Sequence, residues 1–120
     1  MELCRKILFQ VEEKAVGQSR VNLEFPGVSK ALLSYQVKML CDGGLIKAED
    51  LSDTFAPGEG WTAFSLTWEG HEFLDAIRND TVWNKVKEQV REKGGGFTME
   101  ILKSLATQAL SHLLGLAAGS

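Results

Sequence analysis

The chain has 120 residues, 44% of them hydrophobic and 24% charged, with a net charge of −3 at pH 7. That suits one domain with a helical annex and a single buried core. No apolar run approaches the ~20 residues of a membrane span, and Met1-Glu2-Leu3-Cys4-Arg5-Lys6 lacks the apolar stretch and cleavage site of a signal peptide, so the expected address is cytoplasmic.

The charge is unevenly spread: residues 1–47 carry a net +2, residues 48–80 a net −7 and residues 81–120 a net +2. A protein that grips a phosphate backbone concentrates positive charge on one face. Here the excess is small and the middle of the chain is acidic. Cys4 and Cys41 each fall in an apolar helical pattern and are expected to be buried, reduced thiols. Together with His71 and His112 they are too scattered for zinc-ligand spacing, so no metal and no cofactor is expected.

In chain order, Leu3, Ile7, Leu8 and Val11 recur at helical spacing over residues 2–14. Gly17 and Ser19 end that helix. Val21, Leu23 and Phe25 then alternate with Asn22 and Glu24, which predicts a short, half-buried strand stopped by Pro26-Gly27. Ser29 caps a helix over roughly 29–42 that buries Leu33, Val37, Leu40 and Cys41. Asp42-Gly43-Gly44 closes it, and Leu45 and Ile46 open a strand. Residues 47–60 are polar and turn-rich, ending in Pro57-Gly58-Glu59-Gly60, and predict a hairpin tip.

The return strand spans 61–66, with Phe64 and Leu66 as its expected inward residues. Thr67 caps the next helix, whose buried stripe is Phe73, Leu74 and Ile77. Asn79-Asp80-Thr81 breaks it and starts another over roughly 81–93, with Val82, Val86, Val90 and Trp83 inward. Gly94-Gly95-Gly96 reads as a hinge; it lacks the Lys-Ser/Thr and the preceding strand of a phosphate-binding loop. The last helix, roughly 98–115, carries eight apolar residues between Ile101 and Leu114 and few charges. Such a broad stripe wants a partner surface. Ala117-Ala118-Gly119-Ser120 is expected to be disordered.

Helix, short strand, helix, two-stranded hairpin, helix predicts an α+β fold with a winged-helix core over residues 1–79 and a C-terminal helical extension over 80–116 that serves oligomerisation. The phrases Met1-Glu2-Leu3-Cys4-Arg5-Lys6-Ile7-Leu8, Gln36-Val37-Lys38-Met39-Leu40 with Gly44-Leu45-Ile46, Leu66-Thr67-Trp68-Glu69-Gly70-His71-Glu72-Phe73-Leu74-Asp75 and Asp80-Thr81-Val82-Trp83, with the Leu-rich tail, resemble a bacterial and prophage family catalogued as domain of unknown function 2513. The resemblance implies no particular activity. The Gly-Leu-Ile, hairpin, Leu-Thr-x-x-Gly order is more distantly similar to winged-helix transcription regulators. Those have two short helices before Gly-Leu-Ile, whereas here only Gly27 to Asp42 is available, so the positioning helix is missing or shrunk to a turn.

Two functional readings follow. As a DNA-binding transcriptional regulator of bacterial or prophage origin, the chain would meet double-stranded DNA with Ser29, Lys30, Ser34, Gln36 and Lys38 from the second helix and Lys47 from the wing. As a protein–protein interaction module on the same scaffold, it would use Trp61 or the last helix without touching DNA. In either case Ile101, Leu102, Leu105, Ala109 and Leu113 are the candidates for homodimer contacts. An enzyme is not expected: His71 with Glu69, Glu72 and Asp75 has acid–base potential but no activated nucleophile beside it. Leu40→Ala and Phe73→Ala should each cost about 2–5 kcal/mol in thermal or chemical melts, as large-to-small core changes do; a loss below about 1 kcal/mol would put those side chains in solvent.

Overall fold

The computed structural model describes residues 2–15, 20–51, 58–94 and 98–117. Its element order is α1 (Glu2–Lys14), α2 (Lys30–Asp42), β1 (Ile46–Asp50), β2 (Trp61–Leu66), α3 (Trp68–Ile77), α4 (Asp80–Glu92) and α5 (Met99–Ala117). The architecture is α+β, five helices and a two-stranded antiparallel sheet, in an order compatible with a winged-helix-like layout followed by C-terminal helices. Two compact units are distinguished, Met1–His71 and Glu72–Ser120, so the boundary falls inside α3, whereas the sequence pattern places it after residue 79. Among the described residues no helix is long and apolar enough to cross a membrane.

In the first unit α1 presents Cys4, Ile7, Leu8 and Val11 inward, and α2 presents Ser34, Val37 and Leu40. Helix α2 starts where the Ser29 hydroxyl accepts the amide of Leu32 at 3.1 Å, the capping that serine's short side chain provides. It ends in a complete Schellman turn. The Gly44 amide donates to the Cys41 carbonyl and the Leu45 amide to that of Leu40, at 2.9 and 3.0 Å. Gly44 has φ of 79°, a left-handed conformation that a Cβ would resist.

The hairpin pairs Ile46 with Leu66 and Lys47 with Ser65, then Ala48 with Ala63, so Phe64 is an extra residue on β2. This β-bulge corrects the expected inward set. Phe64 is only half-buried, while Ala63 and Leu66 are buried, three residues apart instead of two. An inserted residue shifts the face on which all later side chains of that strand stand.

The segment Val21–Phe25 is not a strand. It makes one backbone bond to β2, from the Val21 amide to the Ala63 carbonyl at 2.8 Å. Side chains of α1 take much of the remaining pairing. The Gln10 amide group donates to the Glu24 carbonyl at 2.9 Å and accepts the Glu24 amide at 3.2 Å. The Lys14 ammonium donates to the Asn22 carbonyl at 3.1 Å. A carboxamide carries one donor and one acceptor in the spacing of a peptide unit, so Gln10 replaces a neighbouring strand at Glu24.

The base of the hairpin is tied by Thr67. Its amide donates to the Leu45 carbonyl at 3.0 Å, its hydroxyl donates to the Gly44 carbonyl at 2.5 Å, and the same oxygen accepts the Gly70 amide at 2.9 Å, capping α3. Gly70 lies against the Leu45 backbone so closely that a Cβ built on it would overlap the Leu45 carbonyl oxygen.

In the second unit Asn79 caps α4 by accepting the amides of Thr81 and Val82 at 2.8 and 3.2 Å. Helix α4 buries Val82, Trp83, Val86 and Val90, and it packs with α5, which buries Leu102, Leu105 and Ala106. The expected helix end at Gly17 and Ser19, most of the hairpin tip, Gly95 and Gly96 of the expected hinge, and the last three residues lie outside the described residues. Gly70→Ala should lower stability by more than about 2 kcal/mol, because the obstacle is backbone and cannot rotate away. Urea melts of this variant and of Gly44→Ala, expected to lose only about 1 kcal/mol, should separate the two.

Candidate functional site

Helix α2 has two working sides. Its inner side packs on α1 and on both strands of the hairpin. Its outer side carries Ala31, Leu32, Tyr35, Lys38 and Asp42, all exposed, with Met39 half-buried beside them. Leu32 is 45% and Tyr35 58% exposed, on a helix whose core residues are nearly inaccessible. Leu32, Tyr35 and Met39 stand at i, i+3 and i+7, one stripe of a helix surface. These residues fall off the Leu33, Val37, Leu40 stripe that the sequence marks as inward, and the presence of large apolar side chains off that stripe is the signal that could have found them.

The six residues expected to meet DNA do not form one exposed set. Ser29 is exposed but spends its hydroxyl oxygen on the helix cap. Ser34 is 3% exposed, and its Oγ accepts the Trp61 amide at 3.0 Å, pinning the first residue of β2 to α2. Gln36 is half-buried, and its Oε1 accepts the Cys4 thiol at 2.8 Å, linking α2 to α1. Burial pushes the Cys4 thiol above its ordinary pKa, so it stays a protonated donor. Ser34 and Gln36 thus each spend an oxygen on joining α2 to a neighbouring element. Their helical spacing from Val37 and Leu40 already puts Ser34 on the inner side. Lys30, Lys38 and Lys47 remain exposed.

The residues expected to mediate dimer contacts also separate. Leu102 and Leu105 are buried within the chain, Ala109 is half-buried and Ile101 is exposed. The Leu113 side chain lies outside what is described. On α3, Trp68 is 77% exposed while Trp83 on α4 is enclosed. His71 and Glu72 are exposed, and Asp75 pairs with Arg78 at 3.2 Å on the surface. Among the described residues no group of three His, Cys, Asp or Glu stands close enough to hold a metal ion, and both described thiols are free.

The described residues form a cleft in each unit. In the first, Arg20–Leu23, the first half of α2 and the start of β2 enclose about 470 Å³. In the second, α4 and α5 border about 720 Å³ lined by Lys85, Glu88, Gln89, Gln108 and His112 among others. Gln89 Oε1 is buried without a hydrogen-bond partner among the described residues.

A family model described as "Hypothetical protein (DUF2513)" matches residues 1–96. A protein of Haemophilus influenzae carrying the name "Uncharacterized protein" is 35% identical over 114 residues, covering 94% of this chain and 95% of the relative. No solved structure matches the chain. Ser34→Ala should cost about 1–3 kcal/mol by stranding the Trp61 amide, read by urea denaturation, and should leave the outer side of α2 unchanged; a neutral substitution would mean that Ser34 does not join helix to hairpin.

Proposed function

We infer a function for this chain as a member of the DUF2513 family, to which it belongs: it is a non-enzymatic binding module on a winged-helix-like scaffold, and it engages another protein through the outer side of α2. The observation that carries this reading is the exposed pair Leu32 and Tyr35 on that helix. A solvated helix face has little reason to keep a leucine and a tyrosine at adjacent-turn spacing, whereas aromatic and aliphatic anchors on a rigid helix are what interfaces use. The surroundings favour a protein partner over a phosphate backbone. Asp42 shares the outer side of α2, and β1 continues Lys47 with exposed Glu49 and Asp50. Acid groups there would repel a duplex and oppose the salt-dependent attraction on which DNA affinity rests. The acid–base cluster of α3 stands exposed to solvent and outside any described cleft, which supports a non-catalytic reading.

The second reading, a DNA-binding regulator of bacterial or prophage origin, is favoured by the exposure of Lys30, Lys38 and Lys47. Homodimerisation through α5 draws less support, since Leu102 and Leu105 are already buried within the chain.

Fluorescence anisotropy with a mixed-sequence duplex at physiological salt separates the two readings. The expected affinity is no tighter than about 10⁻⁶ M, with a log–log salt slope no steeper than about −3 for three lysine contacts. Sub-micromolar binding that is lost in a Lys30→Ala/Lys38→Ala variant and kept in Leu32→Ala/Tyr35→Ala would replace the protein-binding reading with the regulator. A photo-crosslinking side chain at position 35, irradiated in cells that make the protein, should yield adducts digested by protease and not by nuclease.

A further inference from the structure

The stripe that α5 turns towards α4 changes character along the helix. It buries Leu102, Leu105 and Ala106, then continues at Ala109, half-buried, and His112, exposed. Where leucines stand, side chains fill the space beside α4. Where alanine follows them, they no longer do. The cleft of about 720 Å³ opens at that end, between residues 81–89 of α4 and 108–112 of α5. Its volume lies within the range of small-molecule sites.

Charge gives this cleft no preference for either sign, since Lys85 and Glu88 line it together. Three carboxamides, Asn84, Gln89 and Gln108, line it as well. A carboxamide holds a donor and an acceptor side by side. Gln108 already donates to the Ser104 hydroxyl at 3.2 Å. Gln89 is the unsatisfied one: it is half-buried, and its Oε1 is covered without a hydrogen-bond partner among the described residues. Its Nε2 is not covered in this way, so the NH2 is the end of the carboxamide that the cleft presents. A buried acceptor without a partner destabilises the chain, and a donor that reaches it removes that cost. The last torsion of a glutamine is broad. An oxygen that has no partner gives up no hydrogen bond when the carboxamide turns it towards the cleft.

We propose that the α4–α5 cleft binds an uncharged ring amide, a molecule whose N–H and C=O lie side by side. Its ring lies against Val82 and Ala109. Its carbonyl accepts from the Gln89 Nε2, and its N–H donates to the Gln89 Oε1. Two-way pairing of this kind already holds the Gln10 carboxamide to both backbone groups of Glu24. A charged ligand of either sign would meet a like charge at Lys85 or Glu88. The inference stands apart from the reading of α2, because every residue it uses belongs to the second unit.

The test is a two-dimensional amide NMR titration of the full chain with δ-valerolactam. N-methyl-δ-valerolactam and cyclohexanone serve as controls that keep the ring and the carbonyl and lack the N–H. Saturable shifts are expected with δ-valerolactam at the Gln89 side-chain NH2 pair and at the backbone amides of Lys85 and Ala109. Both controls should bind at least about 10-fold more weakly, the value of one hydrogen bond to an otherwise unpaired acceptor. Gln89→Met keeps the length of the side chain and removes both polar atoms. Since the oxygen it removes has no partner, this variant should hold its fold, which its amide spectrum checks, and should no longer tell the three compounds apart. The proposal is overturned by an absence of saturating shifts, by controls that bind the unaltered chain as tightly as δ-valerolactam does, or by a folded Gln89→Met variant that discriminates as before.

Discussion

The Leu45 carbonyl meets two demands at once. It accepts the Thr67 amide, and it lies against the bare Cα of Gly70. The first demand closes the hairpin at its base; the second brings the start of α3 closer than any side chain would permit. Thr67 serves both, since its hydroxyl donates to Gly44 while accepting from Gly70. Gly44 in turn is the left-handed residue that ends α2. The end of one helix, the base of two strands and the start of another helix thus share one small cluster of backbone groups, all buried or half-buried. Such a cluster is sensitive, because every donor or acceptor in it that lost its partner would be left without water to replace it.

The other side of the hairpin is organised by substitution instead of closure. Where a third strand would pair with β2, one backbone bond and the Ser34 hydroxyl do the joining. From α1, Gln10 bonds both backbone groups of Glu24 and Lys14 the Asn22 carbonyl. The chain thereby bonds part of this backbone without a continuous sheet, and it leaves a cleft beside α2. The bulge at Phe64 belongs to the same solution, since it turns the small side chain of Ala63 inward, where the Val21 amide meets that residue's carbonyl.

Much of this was legible from residue patterns. The caps Ser29 and Thr67 are read from side chains that satisfy the first amides of a helix, and both work in that way; Asn79-Asp80-Thr81 is read only as a helix start, within which Asn79 is the residue that caps. Gly44 is read as a helix stop because only glycine takes its conformation cheaply. The inward valines and Trp83 of α4 follow from period alone. What failed depends on partners distant in sequence. Alternation over Val21–Phe25 fits a strand, but whether its amides find a strand or the Gln10 side chain is decided by α1, fourteen residues away from Glu24 at the contact. Phe64 reads as inward until the bulge opposite Lys47 and Ala48 is known. Ser34 and Gln36 look like polar surface residues because serine and glutamine usually are, and only the positions of Trp61 and Cys4 show them spent on packing. The cleft has no sequence signature, being assembled from three separate segments.

The central claim is that the Gly44–Leu45 and Thr67–Gly70 contacts form a single cooperative unit with the core of α1 and α2. Native-state amide hydrogen exchange tests it directly. The amides of Leu45, Thr67 and Gly70 should exchange only through global unfolding, with the same free energy and denaturant dependence as those of Leu8 and Val37 in the core. Exchange of these three amides through a low-energy local opening, while Leu8 and Val37 stay protected, would show that the base of the hairpin is an appendage and would contradict the account.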